Sequence, residues 1–424
     1  MINAGLDIGN GYVKALIRNT DTDVKSKVVD MPSAAAVITN SADVRISDPA
    51  GIAKEIDDIY NSLEVSIDSP LIADNDVRMY IGKRAVKSGK SLQEFNLKET
   101  RRSKSETELS AILVLSILAG KGLQDYYAQY HKLPGEEETI RIDVNFAMSL
   151  PITEYKYNKD TVARNYKAQS HLVRIHNFEH VVRVDVHIND AITTAEGASA
   201  QFTIAYKMKC EGDKFTVGLM KDMIKNGISV PEDIAPADIA AATGIIGIDI
   251  GEGTVNFPIY QDLQLNTDVS TTFNKGYGTV LDEAVIRLAQ LGRPFDSRKK
   301  LMEWLRETEN KPLMRSKRTE ALKIIEAEAS IFVDELVKQF SAVLERNGAF
   351  AEIIYVYGGG AEPIRELLYP KLKKAISRVY GEDTFMPIFY LNKSYSRVLN
   401  RDGLYIYIAT KNGYDIEDLN TLNV

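Results

Sequence analysis

One short pattern occurs twice in this chain and constrains its fold more than any other feature. Residues 5–11 (GLDIGNG) and 247–253 (GIDIGEG) share the order glycine, apolar residue, aspartate, apolar residue, glycine, polar residue, glycine. Apolar runs flank each copy, which predicts a strand, a glycine-containing turn and a second strand. Because the two copies lie about half of the 424-residue chain apart, they predict two related halves.

Such a hairpin suits a polyphosphate and its metal ion. Glycines in the turn let backbone N–H groups point into a concavity without obstruction by a Cβ atom, and such a concavity accepts phosphate oxygens. An aspartate at the strand end can hold the water shell of Mg²⁺, which keeps several waters and takes few carboxylates. Asp7 and Asp249 are the two candidates, and Lys14 on the outgoing strand can reach the same anion as a point charge.

A third glycine-rich segment, Gly358–Gly360, follows the apolar run 353–357 (IIYVY). Glycines here would allow the backbone to approach a flat ligand such as adenine closely. The next residues, 361–363 (AEP), predict the start of a helix, because proline fits the first helical turn.

Hydrophobic periodicity predicts further elements along the chain. Strands are expected at residues 2–8, 12–18, 77–81, 140–150, 181–188, 244–250, 255–260 and 353–357. Helices are expected at residues 52–63, 191–206, 281–291 and 317–346, and one or two helices are expected at 105–130. The polar segment 210–242 contains Pro231 and Pro236 and is interpreted as a linker, a small insertion or an exposed arm.

Composition excludes several classes of protein. The chain has 52 Lys and Arg against 59 Asp and Glu, for a net charge of −7, which argues against direct binding of nucleic acid. A single cysteine, Cys210, excludes an internal disulfide and argues against a cysteine-based metal site. The strongest apolar stretch, residues 109–119, has about half of the ~20 residues that span a bilayer, and the N-terminus lacks signal-peptide features. We therefore expect a cytoplasmic protein without a membrane contact.

Two other groups of residues give weak signals. Four histidines lie close together in the sequence, at His171, His176, His180 and His187. Their spacing does not place metal ligands on one face, so structural or surface roles are expected. The basic runs 101–104 (RRSK) and 311–318 (KPLMRSKR) are interpreted as solvated faces or as contacts between copies of the chain.

The order of these motifs resembles the superfold shared by actin, heat-shock chaperones and sugar kinases. Within it, the chain most resembles the bacterial plasmid-segregation actins of the ParM and Alp type. Three further segments carry this resemblance: residues 149–154 (SLPITE), 357–364 (YGGGAEPI) and 395–403 (YSRVLNRDG).

The resemblance implies an α/β, actin-like (ribonuclease H-like) fold with two lobes and a nucleotide cleft between two related domains. Domain I is expected to comprise residues 1–190 and 390–424, with an inserted subdomain at about 24–104. Domain II is expected to comprise residues 191–389, with an inserted subdomain at about 280–325.

The resemblance also implies ATP and Mg²⁺ as cofactors. The expected nucleotide-binding residues are Asp7, Gly9, Asn10, Gly11, Tyr12, Lys14, Gly251, Glu252, Gly253, Thr254, Glu320, Lys323, Gly358, Gly359, Gly360 and Glu362. The metal is expected at Asp7 and Asp249. The first turn departs from the family, because Asn10-Gly11 replaces a Ser or Thr hydroxyl and Tyr12 is bulky for a phosphate loop.

Glu196 falls where the family places the group that orients the attacking water, and it is the expected catalytic residue. Asp190 is the competing candidate, and a solvated carboxylate on a helix face is the alternative role of Glu196. Glu320 and Lys323 are three positions apart on one helix face. They either flank the purine and ribose or form a surface ion pair.

The function implied by the resemblance is that of an ATPase that polymerises head to tail into ATP-dependent filaments and segregates plasmid or phage DNA. A separate DNA-binding adaptor of the ParR type would contact the DNA, in agreement with the acidic net charge. The alternative is a small-molecule kinase of the same superfold. A kinase would need an acceptor-binding subdomain and a catalytic base, for which the sequence shows no motif.

Overall fold

A computed structural model describes residues 1–23, 25–39, 45–95, 107–167, 170–225, 230–347, 350–382, 384–391, 393–414 and 416. Contacts between residues divide the chain into two compact units. The first unit consists of Met1–Ile204 and Val398–Val424, and the second unit consists of Ala205–Arg397.

Groups of consecutive strands are separated by groups of helices along the chain. The strands are β1 (Ile2–Ile8), β2 (Tyr12–Asn19), β3 (Lys27–Pro32), β4 (Ala34–Val37), β5 (Glu64–Asp68), β6 (Met79–Ile81), β7 (Gln93–Glu94), β8 (Thr139–Leu150), β9 (His171–Ile175), β10 (Val182–Ala195), β11 (Ile245–Ile250), β12 (Val255–Phe257), β13 (Ile259–Gln261), β14 (Gln264–Leu265), β15 (Thr271–Phe273), β16 (Ile353–Tyr357) and β17 (Ile388–Tyr390). The helices are α1 (Pro49–Asp57), α2 (Ile59–Ser62), α3 (Lys83–Lys87), α4 (Glu108–Tyr130), α5 (Ile152–Lys167), α6 (Ala198–Glu211), α7 (Asp213–Lys225), α8 (Pro236–Ala241), α9 (Tyr277–Gln290), α10 (Arg298–Glu307), α11 (Arg315–Asn347), α12 (Arg365–Tyr380), α13 (Lys393–Ser396) and α14 (Leu399–Lys411).

A mixed sheet forms the centre of the first unit, with the strand order β3-β2-β1-β8-β10-β9-β5-β6-β4-β7. β1 and β2 form an antiparallel hairpin, whereas β1, β8 and β10 run parallel. Every residue of β1 is buried, as is the second half of β8. Apolar parallel strands of this kind are stable when helices cover both faces of the sheet. Their carboxyl ends meet at one edge of the sheet.

Helices α4 and α14 cover β1 and its neighbours. α4 is buried from Leu109 to Gln124 and contributes to the main apolar core of the unit. α14 packs close to the sheet through glycines, because a Cβ atom at Gly5 would overlap backbone atoms of Arg401 and Tyr405. A Cβ atom at Gly403 would overlap the carbonyl oxygen of Ser199 at the start of α6. The C-terminal helix is therefore an integral part of the first unit.

The second unit is built on a smaller sheet. β11 pairs in parallel with β16, and β16 pairs in parallel with β17. β11 also pairs in antiparallel fashion with both β12 and β13. Pro258 separates these two short strands, since a proline lacks the N–H group that a continuous ladder requires. α9, α11 and α12 supply much of the apolar core that packs against this sheet.

Most of the predicted elements are confirmed where the structure describes them, including both glycine-containing hairpins and the long helix near residues 317–346. Three predictions need correction. The predicted helix at residues 52–63 is interrupted at Asp58, the predicted strand 255–260 is interrupted at Pro258, and the predicted helix at 191–206 begins only at Ala198. Residues 191–195 (AITTA) instead extend β10, because they pair with β8 as far as Leu150.

Most described residues of the segment 210–242 lie in α6, α7 and α8, so the interpretations as a linker or an exposed arm are wrong, and a small insertion is the alternative that stays open. α7 buries Phe215, Leu219 and Met223 on one face, as an amphipathic helix packed on a core does. The basic run 101–104 lies outside the described residues.

No helix in the described part of the chain is both long and apolar enough to cross a membrane. The division of the chain into domains I and II with inserted subdomains stays a prediction.

We expect Gly403→Ala to lower the free energy of unfolding of the full chain by about 1–3 kcal/mol, because the added methyl group must push α14 away from α6. Chemical denaturation followed by circular dichroism measures the change. Gly135→Ala is the matched control in the same unit, since its Cβ would meet no atom within 4 Å. Equal stability of the two variants would contradict the close packing of α14.

Candidate functional site

A row of polar residues crosses one face of the first sheet at the carboxyl ends of its parallel strands. Register pairs place Asp7 opposite Lys14, Lys14 opposite Asp30, and Ser149 opposite Thr194. The pairing of Leu6 with Met148 places Asp7 beside Ser149 at the next position. Residues paired in this way share a face of the sheet. This row, defined as Asp30, Lys14, Asp7, Ser149 and Thr194, is the polar row of the first unit.

Asp7 and Lys14 form an ion pair at the centre of the polar row. Lys14 Nζ lies 2.8 Å from Asp7 Oδ2, and the side chains are only 15% and 7% exposed. The turn beside them is fixed by hydrogen bonds: the Gly9 N–H donates to Tyr12 O, and the Ser33 hydroxyl donates to Gly9 O. Ser33 was not indicated by the sequence, because its role depends on the pairing of β2 with β3.

Glu196 lies in the turn between β10 and α6, at the same edge of the sheet as Asp7. Its N–H donates to Leu150 O at 2.6 Å, and its side chain is largely buried. β8 lies between β1 and β10 in the sheet, so β1 and β10 are two strand spacings apart, a distance of about 10 Å. The alternative in which Glu196 is a solvated carboxylate on a helix face is therefore wrong.

Asp190, the competing candidate, lies within β10 and not at its end. Its carboxylate accepts hydrogen bonds from Lys411 at 2.8 Å and from Lys167 at 3.3 Å. Partial burial raises the pKa of the Asp190 carboxyl, but the two ammonium groups outweigh this effect and bring the pKa below its usual value. Asp190 thus joins α5 and α14 to the sheet, and Glu196 remains the candidate nearer to Asp7.

Two buried hydroxyls in the polar row were not among the predicted site residues. Ser149 Oγ and Thr194 Oγ1 are buried, and neither has a hydrogen-bond partner among the described residues. A buried hydroxyl without a hydrogen-bond partner is unfavourable. Such hydroxyls are typical of a site in which a polar ligand or ordered waters supply the missing hydrogen bonds. The segment 149–154 was part of the resemblance, but the sequence did not reveal which of its side chains faces Asp7.

The corresponding edge of the second unit brings Asp249 beside the glycine segment. Asp249 is paired in register with Tyr357, so Gly358 follows directly at the strand end. Gly358 has a φ of 99°, and a Cβ atom there would lie 2.6 Å from Asp249 Oδ1. Burial, together with the charge of Asp249, raises the pKa of the Tyr357 hydroxyl well above its usual value.

The turn from Gly251 to Thr254 is held by backbone hydrogen bonds from two directions. The Gly360 N–H donates to Ile250 O at 2.8 Å, just before the turn. The N–H groups of Tyr277 and Gly278, at the start of α9, donate to Gly251 O and Glu252 O. The second hairpin, the start of α9 and the glycine segment therefore form one hydrogen-bonded assembly.

Two acidic residues among the predicted nucleotide-binding residues, Glu252 and Glu320, form ion pairs with arginines. Glu252 Oε1 lies 2.5 Å from Nε of the buried Arg298. Glu320 on α11 forms an ion pair with Arg293, so the predicted surface pair with Lys323 is not the contact that this carboxylate makes. Glu362 lies in a short 3₁₀ turn after the glycine segment, and its Oε2 is buried without a hydrogen-bond partner among the described residues.

The structure thus assembles the predicted residues into one group per unit. The group of the first unit consists of Asp7, Gly9, Asn10, Gly11, Tyr12, Lys14 and Glu196. The group of the second unit consists of Asp249, Gly251, Glu252, Gly253, Thr254, Gly358, Gly359, Gly360 and Glu362. Glu320 and Lys323 lie on α11. Their assignment as ligand-binding residues stays a prediction.

Within the described residues, no group of three or more His, Cys, Asp or Glu side chains is arranged to hold a metal ion. The histidines have structural contacts instead; His171, for example, is hydrogen-bonded to Ser69 and to Tyr166 O. Single carboxylates beside glycine turns fit Mg²⁺, which relies on waters and phosphate oxygens for most of its ligands.

We expect Ser149→Ala to leave the free energy of unfolding unchanged or to raise it by up to about 1 kcal/mol, because the substitution removes a buried hydroxyl without a partner. Ser69→Ala, at an equally buried position, should instead lower it by about 1–2 kcal/mol, because Ser69 Oγ is hydrogen-bonded to His171 Nδ1 at 2.8 Å. Urea denaturation of the ligand-free protein measures both. A similar loss in both variants would mean that Ser149 has a partner.

Two models of known protein domains match separate parts of the sequence. The model for the N-terminal domain of actin-like proteins matches residues 5–198. The model for the C-terminal domain of archaeal MreB-like actin homologues matches residues 247–369. No curated protein matches the sequence.

Solved structures with low sequence identity share the fold over 97% of the chain. The actin-like protein Alp7A has a TM-score of 0.62 at 16% identity, over 97% of this chain and 96% of its own. Bacillus thuringiensis ParM with ATP has a TM-score of 0.56 at 15% identity, over 97% and 99% of the two chains. An archaeal actin homologue has a TM-score of 0.57 at 12% identity, over 97% and 100%. The expected actin-like fold is confirmed by these structures, and the two models match an actin-like N-terminal domain and an MreB-like C-terminal domain in this chain.

Proposed function

We propose that this protein binds ATP with Mg²⁺, hydrolyses the ATP, and assembles head to tail into filaments whose stability depends on the bound nucleotide. The observation that carries the proposal is the placement of an aspartate beside a glycine-containing turn at the carboxyl edge of both sheets, at Asp7 and at Asp249. Ligands of open α/β sheets bind at this edge. A structural relative, Bacillus thuringiensis ParM, was solved with ATP.

The first unit would act as domain I and the second unit as domain II, and each contains one hairpin of the phosphate-binding type. The turns at Gly9–Gly11 and Gly251–Thr254 would bind phosphate oxygens through their N–H groups, and Gly358–Gly360 would approach the adenine. Asp7 and Asp249 would bind waters of Mg²⁺. The metal, when bound, neutralises charge on the phosphate oxygens.

Glu196 would position the water that attacks the terminal phosphate. Its backbone at the edge of the sheet is fixed by the hydrogen bond from its N–H to Leu150 O, next to the strand end that carries Ser149 and Thr194. Hydrolysis of this kind depends mainly on the position of the attacking water. A carboxylate that accepts a hydrogen bond from this water is sufficient to orient it.

Assembly would couple hydrolysis to movement of DNA. A head-to-tail contact is heterologous and does not close, so it generates filaments. If ATP favours the assembled state, hydrolysis shifts the balance toward disassembly. The net charge of −7 supports a division of labour in which a DNA-binding adaptor of the ParR type, and not this chain, contacts plasmid or phage DNA in the cytoplasm.

We expect the protein to sediment in a high-speed pelleting assay with ATP and Mg²⁺, and to remain in the supernatant with ADP or without nucleotide. Asp249→Ala should abolish ATP-dependent sedimentation, because it removes the carboxylate predicted to hold waters of the metal. A folded wild-type protein that stays monomeric with ATP, and that hydrolyses ATP only when a sugar or similar acceptor is added, would instead be a small-molecule kinase.

We expect Glu196→Ala to reduce ATP turnover by about 10²–10⁴-fold, the range for loss of a group that assists proton transfer or positions water. ATP binding should be unchanged, and the filaments should persist longer after ATP is added. Light scattering and phosphate release, recorded on the same sample, measure these effects. Asp190→Asn is the comparison variant, and turnover that is lost there but retained in Glu196→Ala would assign the role to Asp190.

A further inference from the structure

Lys14 lies directly across the first hairpin from Asp7, and the two side chains neutralise each other. We propose that this ion pair makes the site selective for a divalent cation already chelated by a polyphosphate, and that it excludes the free cation and the free polyphosphate. Lys14 is then a specificity-determining residue. This inference rests on the proposed function, because it concerns the ligand of the same site.

The ion pair of Asp7 and Lys14 lies where an unpaired charge would be unfavourable. Lys14 Nζ and Asp7 Oδ2 are 2.8 Å apart, and register pairing of β1 with β2 fixes the two residues opposite each other. Both side chains are mostly buried, so solvent and salt screen their attraction weakly. Removal of one partner leaves the other charge poorly solvated and uncompensated. Asp30, on the far side of Lys14, is exposed and hence screened by water.

The free cation and the free polyphosphate therefore each bind unfavourably without the other. A free cation that approaches Asp7 meets the ammonium group of Lys14, and it can take the carboxylate only by leaving that ammonium without a partner. A free polyphosphate that approaches Lys14 is repelled by Asp7 in the same way. The chelate brings both signs of charge, so Asp7 can turn to the waters of the cation while Lys14 turns to a phosphate oxygen.

The second hairpin provides an internal contrast. There the residue in register with Asp249 is Asn256, a neutral amide, at the position that corresponds to Lys14 opposite Asp7. The two related hairpins therefore differ in charge at this position, and the selectivity is assigned to the first hairpin.

Thermal unfolding of the full chain tests the proposal with Lys14→Met. For the wild type we expect a clear rise of the melting temperature with MgCl₂ and ATP together, and a much smaller rise with MgCl₂ alone or with ATP and EDTA. Lys14→Met should be stabilised by MgCl₂ alone more strongly than the wild type, because Asp7 has lost its counter-ion while Asp249 is unchanged. Lys14→Arg keeps the charge and should respond to MgCl₂ alone no more than the wild type does.

Asp7→Asn tests the other partner of the ion pair, and its result does not depend on whether Lys14→Met folds. It leaves the ammonium group of Lys14 without its partner, so ATP in EDTA should bind roughly tenfold more tightly than it binds the wild type, as measured by calorimetry. Addition of MgCl₂ should then improve the affinity for ATP far less than it does in the wild type.

The results separate this inference from the function on which it rests. If the wild type binds no ATP in the presence of MgCl₂, the proposed function and the inference both fail. If the wild type binds ATP with MgCl₂ but is stabilised by MgCl₂ alone as strongly as Lys14→Met, the ion pair excludes nothing and only the inference fails. The inference also fails by itself if Asp7→Asn binds ATP in EDTA no more tightly than the wild type does.

Discussion

The parallel pairing of β1, β8 and β10 is the constraint on which the rest of the first unit depends. Burial of these apolar strands between helices fixes their register, because a shift by one residue would turn apolar side chains away from the core. The same register aligns Asp7, Ser149 and Thr194 in the polar row and places Glu196 at its end. The geometry of the candidate site is thus a consequence of core packing, and α14 maintains it through the close contacts at Gly5 and Gly403.

The second unit uses the same arrangement with different partners. Parallel pairing of β11 with β16 places Asp249 beside Gly358, as the pairing of β1 with β8 places Asp7 beside Ser149. The surroundings of the two aspartates differ, because Asp7 has a cationic partner on the outgoing strand whereas Asp249 is packed against glycine backbone and Tyr357. Two copies of one motif have therefore acquired distinct electrostatic environments.

Local sequence signals predicted much of this arrangement. Both hairpins, the strand before Gly358 and the long helix α11 were predicted because apolar periodicity and glycine placement act over a few residues. The start of α6 was misplaced, because residues 191–195 have a composition that suits either element and only the ladder with β8 makes them a strand. Asp190 consequently lies within β10, where it is paired with lysines from α5 and α14 that are distant in sequence.

The sequence by itself determined that the chain has two related hairpins, each with an aspartate at the strand end and glycines in the turn, since these features are contiguous. The tertiary structure decided which side chains share the polar row, that Ser149 and Thr194 lie there with no hydrogen-bond partner among the described residues, and that Glu196 is a buried residue of a turn. Those outcomes depend on strand register and on helices packed from remote parts of the chain. A pattern of neighbouring residues does not encode them.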